Sequence, residues 1–229
     1  MFCALLAGSG LRVGEASGLE IDKHVSEDFK TLHIRQKVRR GKVELFLKTD
    51  AGCRDVDLCN ALAGRLKSFV GSRTSGFLFR NRRGNPLSQT NLLRRGLHPA
   101  LIELGQTKAG FHAFRRYRAT WLRKTRTPED LIRFWLGHAD ETVTDGYSKL
   151  REVVQYRKEV TEQVGLGFEF SAGSSDVVPN VPPVQFGPHK DVLRSPEAAN
   201  AIGEMLDTFV TAGSTTAMML TFRFDEAIR

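Results

Sequence analysis

The sequence predicts a mainly α-helical α+β fold carrying a small three-stranded antiparallel sheet. Three observations lead there. Apolar residues recur at helical spacing in several runs bounded by Gly or Pro. Within residues 31–58, three short segments instead alternate apolar and polar residues with β-branched content. Hydrophobic residues make up 41% of the 229, enough for a globular core, and no apolar run approaches the length of a membrane span.

Taken in order, residues 2–7 form a short apolar helical run ended by Gly8 and Gly10. It lacks a basic leader region, which marks it as a structural helix and not a signal peptide. Arg12 stands at the turn into a second short helix, Val13 to Leu19, with Glu15 one turn on. A buried guanidinium there is costly unless it meets an anion, and Glu15 is a partner that would hold it in place. Residues 31–36, 43–48 and 54–58 form the sheet as a meander. Arg39-Arg40-Gly41-Lys42 makes the first turn and Asp50-Ala51-Gly52 the second, with Lys48 ending the middle strand beside it.

An amphipathic helix follows from Asn60 to Val70, then a short buried run at Phe77-Leu78-Phe79. The next loop carries Arg80, Arg82 and Arg83. Two readings of these arginines stand, backbone-phosphate contacts or a solvated basic loop. Ser88 N-caps a helix that runs to Leu104 and ends at Gly105. Residues 110–149 hold two further periodic runs, separated at Thr127-Pro128 by a loop whose proline opens the second helix. A helix spans 151–164. Three units result: a domain over 1–164, a Gly/Ser/Pro-punctuated linker over 165–194, and an acidic tail over 195–229 with one helix opened by Ser195-Pro196.

The charge is unevenly spread. Residues 1–164 hold 30 Lys and Arg against 18 Asp and Glu, whereas residues 165–229 hold 4 against 8. A domain this basic binds polyanions, with nucleic acid the first expectation, and the tail does not share that role. Three cysteines without metal-like spacing point to a reducing, cytoplasmic setting, with a Cys53–Cys59 disulfide the less favoured reading.

The densest chemistry lies in residues 110–149. His112 and Arg115 are three apart on one helix face, His138 closes Leu136-Gly137-His138 23 positions later, and Tyr147 follows nine after that. Two donors, a second imidazole and a phenol can surround one anionic group. Upstream stand Arg12 and Glu15 in Gly10-Leu11-Arg12-Val13-Gly14-Glu15, and Lys48. In this order and spacing the set resembles the tyrosine recombinase, or phage integrase, family over about residues 1–164.

The resemblance implies that family's catalytic-domain fold and site-specific breaking and rejoining of double-stranded DNA, most closely in the integrase branch of mobile elements. Type IB topoisomerases share the catalytic logic but fit the motifs less well. Tyr147 would be the nucleophile, giving a 3′-phosphotyrosyl link. Arg12 and Arg115 would hold the non-bridging oxygens, which suits the guanidinium fork, and His138 would donate a further hydrogen bond. Lys48 would be the general acid, with Lys42 its competitor, and His112 would assist proton transfer. Arg39, Arg40, Lys42, Arg80, Arg82, Arg83 and Arg116 are the candidate DNA-backbone contacts. No metal or other cofactor is called for. A zinc site built from His112, His138 and Glu103 would have unsuitable spacing and no nearby cysteine.

Two departures from the family pattern qualify the expectation. Many relatives have His directly after the second Arg, where this chain has Arg116. The family also carries a helical core-binding domain before the first motif, whereas Arg12 here lies eleven residues after Met1. A fragment, a truncated frame or a minimal form would each account for that. Partners implied are DNA, further copies of the chain on DNA, and a separately supplied core-binding domain. The rival expectation is a non-catalytic DNA-binding protein that has kept the site residues.

Overall fold

A helix that is apolar on every side has to be enclosed, and the first helix is the centre of this fold. In the computed structural model, which describes residues 1–45, 53–103, 105–107, 109–138 and 150–170, α1 (Phe2–Ser9) is buried along its whole length. Phe2 meets Phe79 and Phe111 edge-on, with ring centroids 4.9 and 5.8 Å apart. Helix α1 packs against α7 (His112–Lys124) and α4 (Asn60–Val70). Gly10 ends it in a left-handed turn, and the chain re-enters helix at once as α2 (Val13–Gly18), followed by α3 (Ile21–His24).

Helix α2 lies directly on a strand. A Cβ on Gly14 would stand 2.7 Å from the Val38 carbonyl oxygen, so only glycine permits the approach. Antiparallel pairing is present in two ladders. β1 (Thr31–Ile34) pairs with β4 (Arg54–Asp57), and β2 (Gln36–Arg39) pairs with β3 (Lys42–Leu45). The expected meander is thus changed in connectivity: among the described residues the last strand pairs with the front of the first, not with the middle strand. The first strand divides at Arg35, whose guanidinium turns back onto the Ile34 and Arg54 carbonyls and the Asp55 carboxylate. Arg40 and Gly41 both take positive φ, 50° and 77°, which is the two-residue turn that matches strand twist. The second predicted turn, Asp50 to Gly52, lies outside the described residues.

Helix α4 has the predicted bounds. The predicted helix from Ser88 runs unbroken from Gln89 to Glu103, but with a change of period inside it: α5 (Gln89–Leu92), a π-helical turn (Leu93–Leu97) and α6 (His98–Glu103). Pro99 accounts for the widened turn, since it has no N–H to give Arg95 and its ring would crowd that carbonyl. Ser88 occupies the N-cap position, but its side chain makes no capping bond. Helix α8 (Glu129–Leu136) follows Pro128, and α9 (Val154–Val164) begins three residues later than the sequence suggested. The predicted tail helix lies outside the described residues.

Two sets of polar contacts tie the end of the described chain to this core. The Asp57 carboxylate accepts from Arg157 Nε at 2.8 Å and Trp135 Nε1 at 2.9 Å through one oxygen, and from Thr31 Oγ1 through the other. Trp121, Arg118 and Tyr117, on α7, donate to the successive carbonyls of Val164, Gly165 and Leu166. Residues 165–170, the first part of the predicted linker, therefore lie against the domain, with Phe168 and Phe170 packed on the core. The three cysteines are free thiols.

Asp57→Ala leaves the buried Arg157 without its counter-charge and should cost about 3–5 kcal/mol. Glu129→Ala breaks the exposed Arg123–Glu129 pair and should cost less than about 1 kcal/mol. Urea denaturation of both variants measures the difference, and equal losses would contradict this ranking.

Candidate functional site

The site grows from the junction of α1 and α2. Arg12 is the last residue before α2, where backbone N–H groups lack helical partners. Glu15 reaches back to the Arg12 N–H through Oε2 at 2.9 Å and takes the Arg12 guanidinium on Oε1, also at 2.9 Å. The Arg12 side chain is 49% exposed and that of Glu15 only 2%. So the carboxylate is an interior group that holds one face of an outward-facing guanidinium.

A second arginine shares that carboxylate. Arg54, buried on β4, donates Nη2 to Glu15 Oε2 at 2.9 Å and Nη1 to Oε1 at 3.2 Å. Burial alone would raise the Glu15 carboxyl, but the charge and hydrogen bonds of Arg54, joined by Arg12, bring it below its ordinary value. Arg54 was not among the sequence candidates. The signal was there: Arg54 and Val56 are two apart on β4 and share its inner face.

The other side of the site is the end of α8. Gly137 takes φ 63°, its N–H goes to the Phe134 carbonyl, and the His138 N–H goes to Arg133, the paired bonds of a Schellman turn. The carbonyls left over at this negative helix end are taken by cations. Arg54 Nε donates to Trp135 O at 2.8 Å, and Arg115 Nη2 donates to Leu136 O. Arg115 Nη1 also donates to Gly10 O at 2.9 Å, so this buried side chain joins the ends of α1 and α8. Burial, then the neighbouring Arg12 charge, lower the Arg115 guanidinium to about 10.

His138 emerges exposed beyond this turn, and His112 is exposed at the start of α7. Both imidazoles lie below their ordinary value, first through partial burial and then through guanidinium charges. Arg12 and Arg115 act on both rings, Arg116 adds to the effect at His112, and Arg123 and Arg54 add to it at His138. The fold thus gathers Arg12, Arg115, His112 and His138, with Glu15 and Arg54 behind them, into one positive cluster.

The other candidates fall elsewhere. Arg39, Arg40 and Lys42 are exposed at the tip of the β2–β3 hairpin, and Arg80, Arg82 and Arg83 on the loop closed by the Arg80–Pro86 bridge. Arg116 is exposed on α7. Lys48 and Tyr147 lie outside the described residues. Tyr147 stands three positions before Leu150, and Arg157 donates to the Leu150 and Arg151 carbonyls. Of the other tyrosines, Tyr117 is buried with its hydroxyl on Leu166 O, while Tyr156 is 42% exposed on α9. Among the described residues no three of His, Cys, Asp and Glu form a group able to hold a metal ion, and no helix is long and apolar enough to cross a membrane.

With this geometry in place, comparison with known proteins is informative. The family model described as the phage integrase family matches residues 1–152. Comparison with curated proteins gives no match. Among solved structures, the Tn1549 transposon integrase (residues 82–397) in complex with circular intermediate DNA is similar with TM-score 0.52 and 17% identity, covering 66% of this chain and 58% of that one. A tyrosine-to-phenylalanine variant of that integrase with transposon right end DNA gives TM-score 0.51 and 17% identity, covering 69% and 56%. An arginine-to-lysine variant gives 0.51 and 16%, covering 66% and 57%. At this identity the likeness is one of fold, and this chain spans less than two thirds of each.

Two outcomes follow from the geometry. A Cβ on Gly137 would stand 2.7–2.9 Å from the Arg54 guanidinium. Gly137→Ala should therefore destabilise the fold by about 1–3 kcal/mol, and Gly137→Asn, which tolerates positive φ, should not recover it. Urea denaturation reads both, and a wild-type Asn variant would show that only the backbone angle matters. Separately, His112 and His138 should titrate below the ordinary imidazole value of about 6.5 in an NMR titration. The unfolded chain then takes up protons at these positions before the folded one, so their contribution lowers stability as pH falls through that range and vanishes above it. Either ring titrating above the ordinary value would contradict the charge environment described.

Proposed function

The chain belongs to the phage integrase family, and from that membership we propose that it breaks and rejoins DNA strands at specific sites through a covalent tyrosine link. The observation that most supports this reading is that a buried carboxylate holds the exposed Arg12 guanidinium, while Arg12 and the buried Arg115 both lie near enough to His112 and His138 to lower the two imidazoles. Such a cluster fits a phosphodiester whose charge grows in the transition state. Preorganised donors there are worth on the order of 3 kcal/mol each.

On this reading Tyr147 attacks the phosphorus, giving up its phenol proton with the help of His112, as the bond to the 5′-oxygen breaks and that oxygen leaves with a proton from Lys48. Arg12 and Arg115 neutralise the non-bridging oxygens, and His138 donates to one of them. The bond energy is kept in the phosphotyrosine, so rejoining is the same step reversed. The similar solved structures are integrase–DNA complexes, which favours DNA as the substrate. The exposed arginines of the hairpin tip and the Arg80–Arg83 loop would contact its backbone. Assembly on DNA with further copies, and with a core-binding domain, belongs to the same proposal.

A nicked duplex that loses its cleaved end should trap a covalent protein–DNA adduct, visible as a band stable to denaturant. Tyr147→Phe should abolish the adduct and leave duplex affinity intact. Arg12→Ala should slow adduct formation about a hundredfold, and excess EDTA should leave the wild-type rate unchanged. An adduct that persists in Tyr147→Phe would move the role to another residue, with exposed Tyr156 the next to test. A wild-type protein that binds DNA yet forms no adduct would favour a purely DNA-binding role.

A further inference from the structure

Two arginines converge on Glu15. One buried carboxylate is shared by two guanidiniums, one of them 2% exposed and the other 49%. Two positive charges against one negative leave a net positive charge, and the guanidinium open to solvent is that of Arg12. With Glu15 alone, Arg12 would sit in a neutral pair and attract a phosphate poorly. The third donor of Arg54, Nε, goes to Trp135 O, and its guanidinium lies against Gly137, the residue before His138. A single planar side chain therefore contacts the support of Arg12 and the turn that carries His138, 39 and 83 positions away from Arg54 through Glu15 and Gly137 in sequence terms.

We propose, resting on the reading above, that Arg54 is a positioning residue for cleavage: it takes up the charge of Glu15 and props the Gly137 turn, so that Arg12 stays a net cation beside a fixed His138. Lysine cannot replace it fully, because a point-like ammonium cannot meet both carboxylate oxygens and a carbonyl in one plane.

The test compares wild type with Arg54→Met, Arg54→Lys and Leu66→Ala. The last is a core truncation in α4 that controls for lost stability. All are assayed at a temperature where circular dichroism shows each to be folded. Arg54→Met should lower the single-turnover rate of adduct formation at saturating nicked duplex by about a hundredfold while changing duplex affinity much less. Arg54→Lys should recover part of that rate, and Leu66→Ala should keep the wild-type rate. In an NMR titration the His138 imidazole should move up in Arg54→Met, which loses a neighbouring cation, and stay in place in Leu66→Ala. Wild-type cleavage by folded Arg54→Met, or an equal loss in Leu66→Ala, overturns the inference. If wild type itself forms no adduct, the cleavage proposal fails, and the His138 titration still decides: an unmoved ring in Arg54→Met overturns the positioning role.

Discussion

Glu15 is nearly inaccessible to solvent, and a carboxylate in that position stays ionised only if the surrounding structure supplies enough positive charge and enough donors. The fold meets that demand from two separate parts of the chain. The Arg12 backbone and side chain come from the start of α2, and Arg54 comes across from β4. Satisfying one buried group thereby fixes the angle of α2 to the strands, and Gly14 and Gly18 allow the helix to approach β2 closely enough for this. The same set of bonds leaves an arginine facing outward.

The end of α8 meets a similar demand with opposite sign. Helix C-termini leave carbonyls without intrahelical partners, and here two buried arginines from distant elements take them. Each also binds something else. Arg115 holds the Gly10 carbonyl and Arg54 holds Glu15. The helix end is therefore not an independent local feature. It is joined to both the first helix and the Arg12 support, so the left-handed Gly137 turn that carries His138 is held from two sides. Further from it, the Asp57–Arg157 pair ties α9 to the same strand, β4, that carries Arg54.

Much of the fold was legible because burial imposes a period. The amphipathic repeat from Asn60 to Val70 gave α4 its bounds, and Arg39 to Lys42 gave the hairpin turn through glycine and chain reversal. Pro128 marked the start of α8 because proline suits the opening of a helix. Pairing partners were harder to read, since alternation marks strands without saying which pair, and the break at Arg35 depends on contacts to Arg54 and Asp55 on a distant segment. The π-helical turn depends on how one proline is accommodated, which the periodicity of residues 88–104 does not record. In the candidate site, motif spacing picks out Arg12, His112, Arg115 and His138, which the fold brings near one another. Arg54 was passed over because a charged residue on the inner face of a strand reads as an exception to alternation until its acid partner, 39 positions earlier, is known. Lys48 and Tyr147 rest on sequence alone.

Under the proposed function, Arg12, Arg115 and His138 surround one phosphate while Arg54 stays on Glu15. A crystal structure of the protein with tungstate, a phosphate mimic located by its anomalous signal, tests this most directly. The account predicts one ion within hydrogen-bonding distance of Arg12 and His138 and beside Arg115, with the Arg54–Glu15 bonds unchanged. An ion bound elsewhere on the basic surface, or an Arg54 side chain that leaves Glu15 to meet the ion, would contradict it.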